Sequence, residues 1–123
     1  MATILTIEDN SDYRLLIVMC LQMEGFTVFE AENGLLGINM ANAVLPDLIL
    51  CDINMPKMNG LDVLKTLKQE PLTSNIPFIF LTSERDEETY NLAQKMGANS
   101  YWYKDLKCEE MLRRIKTILG LNN

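Results

Sequence analysis

The chain has 123 residues, of which 48% are hydrophobic and 23% charged, and its 17 acidic and 11 basic side chains give a formal net charge of −6. This length predicts a single domain over residues 1–123 with a sizeable core. The acidic balance argues against direct binding to nucleic acid or to an anionic membrane, and no apolar run approaches the roughly 18 residues of a transmembrane helix.

Strand and helix patterns alternate along the whole chain with little connecting sequence. Short apolar or β-branched runs end at polar or turn residues, and each is followed by a longer segment with a helical pattern. In chain order, the predicted elements are a strand over 3–7, a helix capped by residue 10, 11 or 12 and lasting to 24, a strand over 26–31, a helix over 34–44, a strand over 47–51, a helix over 61–69, a strand over 78–82, a helix over 87–96, a strand over 100–103 and a helix over 106–119. This alternation predicts an α/β domain with a five-stranded parallel sheet covered by helices on both faces.

Polar side chains follow four of the predicted strands at the point where each strand ends. Because the carboxyl ends of parallel strands share one edge of a sheet, these side chains are expected to converge. Three carboxylates in one place repel one another unless a cation intervenes, and Mg²⁺ prefers oxygen ligands of this kind. An aspartate beside Mg²⁺, with a lysine and a hydroxyl nearby, suits formation of an aspartyl phosphate. The residues concerned are Glu8, Asp9, Asp52, Thr82, Ser83 and Lys104.

In this order and spacing, the motifs resemble the receiver domain of two-component response regulators. The resemblance runs from Glu8-Asp9 through the segment DINMPKMNG at 52–60 to the TS pair at 82–83 and to Lys104, and so covers nearly the whole chain. It implies a doubly wound, flavodoxin-like sheet with strand order 2-1-3-4-5. It also implies a phosphorylatable signalling switch in a two-component or phosphorelay system.

The resemblance further implies which residues carry out the phosphorylation. Asp52 would accept a phosphoryl group from a histidine kinase or a histidine phosphotransfer protein, and Lys104 would bind the phosphate. Glu8 and Asp9 would hold Mg²⁺ together with Asp52 and the backbone carbonyl of Asn54. The chain would be an enzyme only in catalysing its own phosphorylation and dephosphorylation.

A second group of residues is implied to respond to the phosphate. Thr82 and Tyr101 would form a switch pair in which the hydroxyl moves onto the phosphoryl group and the aromatic ring turns inward. Asn54 and Glu84 stand at positions that influence hydrolysis of the phosphate in the family. The altered surface would span residues 87–119 and meet a downstream effector protein or domain.

Two positions depart from the family pattern. Glu8 stands where aspartate is commoner, and its extra methylene is expected to shift the ion or admit a water without abolishing metal binding. Asp105 follows Lys104 where the family usually has proline, often with a cis bond. Since a cis bond without proline costs about 3 kcal/mol, this bond is expected to be trans, or else cis and strained.

The outer face of the first predicted helix is unusually apolar. Four residues at helical spacing form this face, namely Leu15, Val18, Met19 and Gln22. One interpretation is a docking surface for a helical partner such as the histidine-bearing bundle of a kinase. The alternative is burial against another domain or a second copy of the chain, as in a homodimer.

The cysteines bear on the cellular compartment. Cys20, Cys51 and Cys108 are odd in number and far apart, and the chain has no histidine with which they could form a zinc site. They are expected to be reduced thiols in a cytoplasmic protein.

Three other functions compete with the signalling switch. A hydrolase of the haloacid-dehalogenase type needs a second aspartate two residues after the nucleophile, where this chain has Asn54. A flavodoxin-like cofactor carrier needs a phosphate loop after the first strand, where Glu8-Asp9 would repel a phosphate. A pseudo-receiver that serves as a protein-interaction scaffold without phosphorylation stays open because of Asp105.

Overall fold

The structure of the protein, a computed structural model, describes residues 2–121. Within this range strands and helices alternate in the order β1 (Thr3–Ile7), α1 (Ser11–Met23), β2 (Thr27–Ala31), α2 (Gly34–Val44), β3 (Leu48–Cys51), α3 (Gly60–Lys68), β4 (Phe78–Thr82), α4 (Glu87–Lys95), β5 (Ser100–Tyr103) and α5 (Cys108–Leu119). The strands are all parallel and lie in the order β2-β1-β3-β4-β5. The predicted fold class and strand order are therefore confirmed.

The two central strands are the apolar runs that lead up to Asp52 and Thr82. All residues of β3 and β4 are buried, as expected when helices cover both faces of a parallel sheet. Successive side chains point to opposite faces, so Leu50 packs with α1 and α5 whereas Cys51 packs with α2, α3 and α4. Burial on both faces fixes the register of these strands, and with it the height at which each ends.

Most helices begin at a side chain that accepts a backbone N–H. The caps of α1, α2, α3 and α4 are Asn10, Asn33, Asn59 and Asp86. The start of α5 differs, because Lys107 makes no such bond. This helix begins two residues later than predicted, since the N–H of Leu106 first closes a turn by donating to the carbonyl of Tyr103 at 3.0 Å.

The prediction that all three cysteines are free thiols is wrong. A disulfide joins Cys20 of α1 to Cys108 of α5, across a sequence separation of 88 residues and with Cα atoms 6.1 Å apart. These helices are neighbours on one face of the sheet, which the spacing of the cysteines in sequence does not reveal. Cys51 remains a free, buried thiol on the other face.

The bond between Lys104 and Asp105 is trans, because no peptide bond in the described part of the chain is cis. The side chain of Asp105 points to Arg85, whose Nη2 donates to Oδ2 at 3.1 Å. The extra carboxylate therefore pairs with an arginine rather than with Lys104. Between residues 2 and 121, no helix combines the length and apolar character needed to cross a bilayer.

Candidate functional site

Strand register brings the predicted site residues to one edge of the sheet. Ile7 and Cys51 are paired between β1 and β3, so Glu8 and Asp52 emerge side by side, and the N–H of Asp52 donates to the carbonyl of Ile7 at 3.0 Å. On the other side of β3, the N–H of Lys104 donates to the carbonyl of Thr82 at 3.0 Å. The convergence follows from the topology alone, because these strands are adjacent and end at the same level.

Three carboxylates meet at this edge. One oxygen from each of Glu8, Asp9 and Asp52 lies within 4.8 Å of the others. Glu8 and Asp52 are only 3% and 5% exposed, whereas Asp9 is exposed. Negative charges held this close, two of them away from solvent, favour a bound cation. The donor set consists of oxygen atoms only and is open on the side of Asp9, which fits a hard divalent ion that keeps some of its water.

Lys104 supplies the positive charge in the structure. Its Nζ lies 3.0 Å from Oδ2 of Asp52 and 2.9 Å from Oε1 of Glu8. It also lies 4.6 Å from the ring centroid of Tyr13, close enough for a cation–π contact. Burial alone would lower the pKa of Lys104, but the hydrogen bonds to Glu8 and Asp52 outweigh it and raise the pKa. The lysine is therefore charged and aimed at Asp52.

The backbone around Asp52 holds its side chain in place. Oδ1 accepts a hydrogen bond from the N–H of Ile53 at 2.7 Å. The following loop folds back tightly, since the N–H of Gly60 donates to the carbonyl of Ile53 at 2.8 Å. A Cβ at Gly60 would lie 2.1 Å from the carbonyl oxygen of Asp52, so the closing glycine of the 52–60 motif is required by packing.

Glu8 is held by neighbours on both its side chain and its backbone. Its Oε2 accepts from the N–H of Asn10 at 3.1 Å, and its carbonyl accepts from Nη1 of Arg14 at 2.6 Å. Arg14 in turn pairs with Glu30 at 2.9 Å. Burial is the main reason that the pKa of Glu8 is raised, and the hydrogen bond from Lys104 only partly offsets it. Sequence reasoning assigned no site contact to Tyr13 or Arg14, although both lie within one helical turn of the cap of α1.

The two predicted switch residues sit on the β4–β5 side of the site. Thr82 is fully buried, and its hydroxyl oxygen accepts from the N–H of Glu84 at 3.1 Å. Tyr101 is half-buried and donates from its hydroxyl to the carbonyl of Glu84 at 3.0 Å. Burial raises the pKa of Tyr101 to about 12, with Tyr103 and nearby acids adding to the effect. Both residues thus contact the same short segment after β4.

Asn54 and Glu84 contact each other. Nδ2 of Asn54 donates to Oε2 of Glu84 at 2.9 Å, which joins the loop after β3 to the loop after β4. Asn54 is exposed and Glu84 half-buried. The two residues follow Asp52 and Thr82 by two positions each, after strands that end at the edge of the sheet where the carboxylates meet.

The apolar face of α1 is partly as predicted. Leu15 is 57% exposed and Met19 52% exposed, and Gln22 is also exposed. Val18 is only 7% exposed, so its inclusion in the exposed face was wrong. At helical spacing Val18 lies beside both exposed Leu15 and buried Leu21, each three residues away, and so sits at the border of the exposed face. The exposed apolar surface is extended instead by Leu16 and Met23.

Comparison with known proteins places the chain among signalling proteins. The sequence profile of the response regulator receiver domain matches residues 4–116. The chain is 35% identical over 116 residues to the phosphate regulon transcriptional regulatory protein PhoB of Klebsiella pneumoniae, covering 94% of this chain and 51% of that protein. It is 39% identical over 116 residues to the nitrate/nitrite response regulator protein NarL of Escherichia coli (strain K12), covering 93% and 53%. It spans about half the length of these curated relatives.

Solved structures with the same fold include a chemotaxis protein and a putative response regulator. The chemotaxis protein CheY4 of Vibrio cholerae superposes with a TM-score of 0.90 at 26% identity, covering 96% of this chain and 98% of that one. A putative response regulator from Chloroflexus aurantiacus gives a TM-score of 0.90 at 28% identity, covering 97% and 98%. The match therefore extends over the whole fold. The chain belongs to the family of response regulator receiver domains of two-component systems.

Proposed function

We propose that this chain is a Mg²⁺-dependent phosphorylatable switch in which Asp52 accepts a phosphoryl group from a phosphohistidine on a kinase or phosphotransfer protein. The observation that carries the proposal is the contact between Asp52 and Lys104 at 3.0 Å, inside a cluster of three carboxylates. A carboxylate in this setting is held against a positive charge and faces an open edge. Those are the conditions for in-line attack on an incoming phosphoryl group.

The reaction is a single displacement at phosphorus. A carboxylate oxygen of Asp52 forms a bond to phosphorus while the bond from phosphorus to the histidine nitrogen breaks. The nitrogen keeps the bonding electron pair and takes up a proton. Lys104 neutralises charge on the transferred oxygens, and the Thr82 hydroxyl donates to one of them after turning from Glu84. When bound by Glu8, Asp9, Asp52 and the Asn54 carbonyl, Mg²⁺ would supply further charge neutralisation.

The catalytic activity is confined to the chain's own phosphorylation and dephosphorylation. Hydrolysis requires a water to attack phosphorus and break its bond to the Asp52 oxygen. A dedicated hydrolase would place a carboxylic acid two residues after the nucleophile, but that position holds Asn54, whose amide is bonded to Glu84. The phosphorylated protein is therefore a signalling state with a finite lifetime.

Intact mass spectrometry tests the proposal directly. Incubated with acetyl phosphate and Mg²⁺, the native chain should gain the mass of one phosphoryl group, and Asp52→Ala should gain none. Asp12→Asn, which removes an exposed carboxylate from the first turn of α1, should be labelled like the native protein. Addition of a chelator should abolish labelling.

The same experiment addresses the scaffold alternative. If Mg²⁺ changes the fluorescence of Trp102 but no phosphoryl group is gained from any donor, the chain is a pseudo-receiver and the proposal fails. The structure weakens the reason for expecting this, because Asp105 pairs with Arg85 and leaves Lys104 free to face Asp52.

We further propose that a histidine-bearing helical bundle docks on the exposed side of α1. The exposed residues Leu15, Leu16 and Met19 begin just over one turn after Asn10, the cap of α1, and Asn10 directly follows Asp9 in the sequence. The compartment for this exchange is the cytoplasm. Phosphorylation would change α4, β5 and α5 and so the contact with a downstream effector.

Replacing Leu15 and Met19 by lysine tests the docking surface. The double variant should slow phosphotransfer from the cognate kinase about tenfold or more, because it removes apolar contact area. Labelling by acetyl phosphate should be unchanged. Leu72→Lys, at an exposed leucine outside α1, serves as the control. Equal loss of both activities, or self-association that the substitutions abolish, would count against kinase docking.

A further inference from the structure

The disulfide between Cys20 and Cys108 lies close to the proposed switch. Cys20 is buried on the inner side of α1, in the same apolar cluster as Trp102, whereas Cys108 is exposed and is the first residue of α5. Cys108 follows Lys104 by four residues in sequence. A restraint at Cys108 therefore acts on the short segment that joins the phosphate-binding lysine to the last helix.

The start of α5 has no capping side chain but is attached to α1 by the disulfide. The other four helices each begin at an asparagine or aspartate whose side chain accepts a backbone N–H, but Lys107 makes no such bond at the start of α5. The first turn of α5 is instead fixed to α1 by the covalent bond at Cys108. The turn is closed by the N–H of Met111, the fourth residue of α5, which donates to the carbonyl of Lys107 at 2.9 Å.

The rest of α5 is held independently of the disulfide. Met111 and Ile115 are buried in the core beneath the helix. Lys116 forms an ion pair with Glu24, just beyond the end of α1. Opening the disulfide would therefore release the first turn of α5 while the helix stays docked. A bond of this kind can act on the dynamics of one segment without being needed for the fold.

We propose that Cys20 and Cys108 form a reversible thiol–disulfide site that restrains the first turn of α5 when oxidised and releases it when reduced. Because this segment leads from Lys104 to the proposed output surface, oxidation opposes the rearrangement that accompanies phosphorylation. This last step rests on the proposed function, whereas the restraint itself does not. Disulfides in a reducing compartment are typically transient or redox-sensing, which suits such a site.

The exchange partner is a low-molecular-weight thiol and its disulfide, such as glutathione. In reduction, a thiolate attacks the sulfur of exposed Cys108, the bond to Cys20 breaks, and the Cys20 sulfur leaves as a thiolate and takes a proton. A second thiolate then attacks the mixed disulfide, giving the Cys108 thiol and the oxidised small molecule. Oxidation is the reverse. Exposure directs the first attack to Cys108 rather than to buried Cys20, and the position of Cys108 at a helix N-terminus stabilises the thiolate that leaves in the second step and attacks in re-oxidation.

The first measurement is a titration of the native chain with glutathione redox buffers, followed by thiol alkylation and mass spectrometry. Cys20 and Cys108 should be alkylated together as the buffer becomes reducing, and both should be protected in oxidising buffer. Buried Cys51 should remain unlabelled at every ratio. Alkylation of Cys20 and Cys108 even in fully oxidising buffer, or a bond that no thiol opens under native conditions, would overturn the proposal.

The second measurement is hydrogen exchange with and without reductant. Amides from Met111 to Arg114, which donate to the carbonyls of residues 107–110 at the start of α5, should exchange about tenfold faster in the reduced protein, with the later turns of α5 and with α2 and α3 unchanged. Acetyl phosphate labelling should be several-fold faster in the reduced form. Cys108→Ser should show the reduced behaviour under both conditions. Equal exchange of α5 in the two redox states refutes the restraint, and equal labelling with altered exchange refutes the coupling. Absent labelling in both states would instead refute the proposed function.

Discussion

The side chain of Glu8 is a buried carboxylate that lies beside a second buried carboxylate, that of Asp52. Burial raises the pKa of Glu8 despite its bond to Lys104. In the pH window between the value in the unfolded chain and this raised value, the folded state retains a proton that the unfolded state has lost. Stability therefore falls as the pH rises through that window, and the full penalty applies once the pH exceeds the raised pKa. A cation at the cluster would offset this penalty, because it binds only the folded state.

Glu8→Gln should consequently stabilise the metal-free protein. In chelator at neutral pH, we expect the free energy of unfolding to rise by about 1 kcal/mol, because removal of the buried charge outweighs the loss of one of the two acceptor oxygens that Glu8 presents to Lys104 and to the N–H of Asn10. The gain should vanish below the pKa of the unfolded glutamate, and affinity for Mg²⁺ should fall. Urea denaturation and Mg²⁺ titration measure the two effects. Exposed Glu32→Gln is the control, and a loss of stability at neutral pH would contradict the account.

The elements themselves were largely predictable, and the exceptions have physical causes. The bounds of β1 and β5 match the prediction, because polar residues end both runs abruptly. The start of α5 was predicted two residues too early, because a helix without a capping side chain leaves no signal in the sequence. Leu106, the predicted first residue, lies instead in a turn closed by its bond to Tyr103. The disulfide was missed because it depends on which helices are neighbours. Val18 was misplaced because spacing alone does not give the rotation of α1 on the sheet.

Asn54 and Glu84 join the loop after β3 to the loop after β4, and we expect this pair to influence how readily water reaches a phosphoryl group on Asp52. Asn54→Met would replace an exposed polar side chain two residues after Asp52 with a bulkier apolar one, and would also remove the bond to Glu84. We expect the phosphorylated protein to lose its phosphoryl group more slowly, with a hydrolysis rate at most about one third of the native rate, since hydrolysis needs a positioned water.

A time course of intact mass after removal of the donor measures this lifetime. Asn91→Met on exposed α4 should leave it unchanged. Faster loss in Asn54→Met would mean that the Asn54–Glu84 bond shields the phosphate instead.

At the scale of the whole molecule, the topology accounts for the site. Parallel strands bring Glu8, Asp52, Thr82 and Lys104 to one edge of the sheet. The convergence of these four residues is therefore predictable from the sequence alone. Supporting contacts could not be placed in the same way. Two of them depend on how the first turn of α1 faces the sheet. They are the cation–π contact between Tyr13 and Lys104 and the hydrogen bond from Arg14 to the Glu8 carbonyl.

The most direct test of the central claim is to locate the phosphoryl group chemically. An acyl phosphate is reduced by borohydride, which converts a phosphorylated aspartate to homoserine. After treatment with acetyl phosphate and Mg²⁺, peptide mass spectrometry should find homoserine at position 52 and aspartate at position 9. Homoserine at position 9, or an unmodified position 52 in protein that has gained a phosphoryl group, would contradict the account.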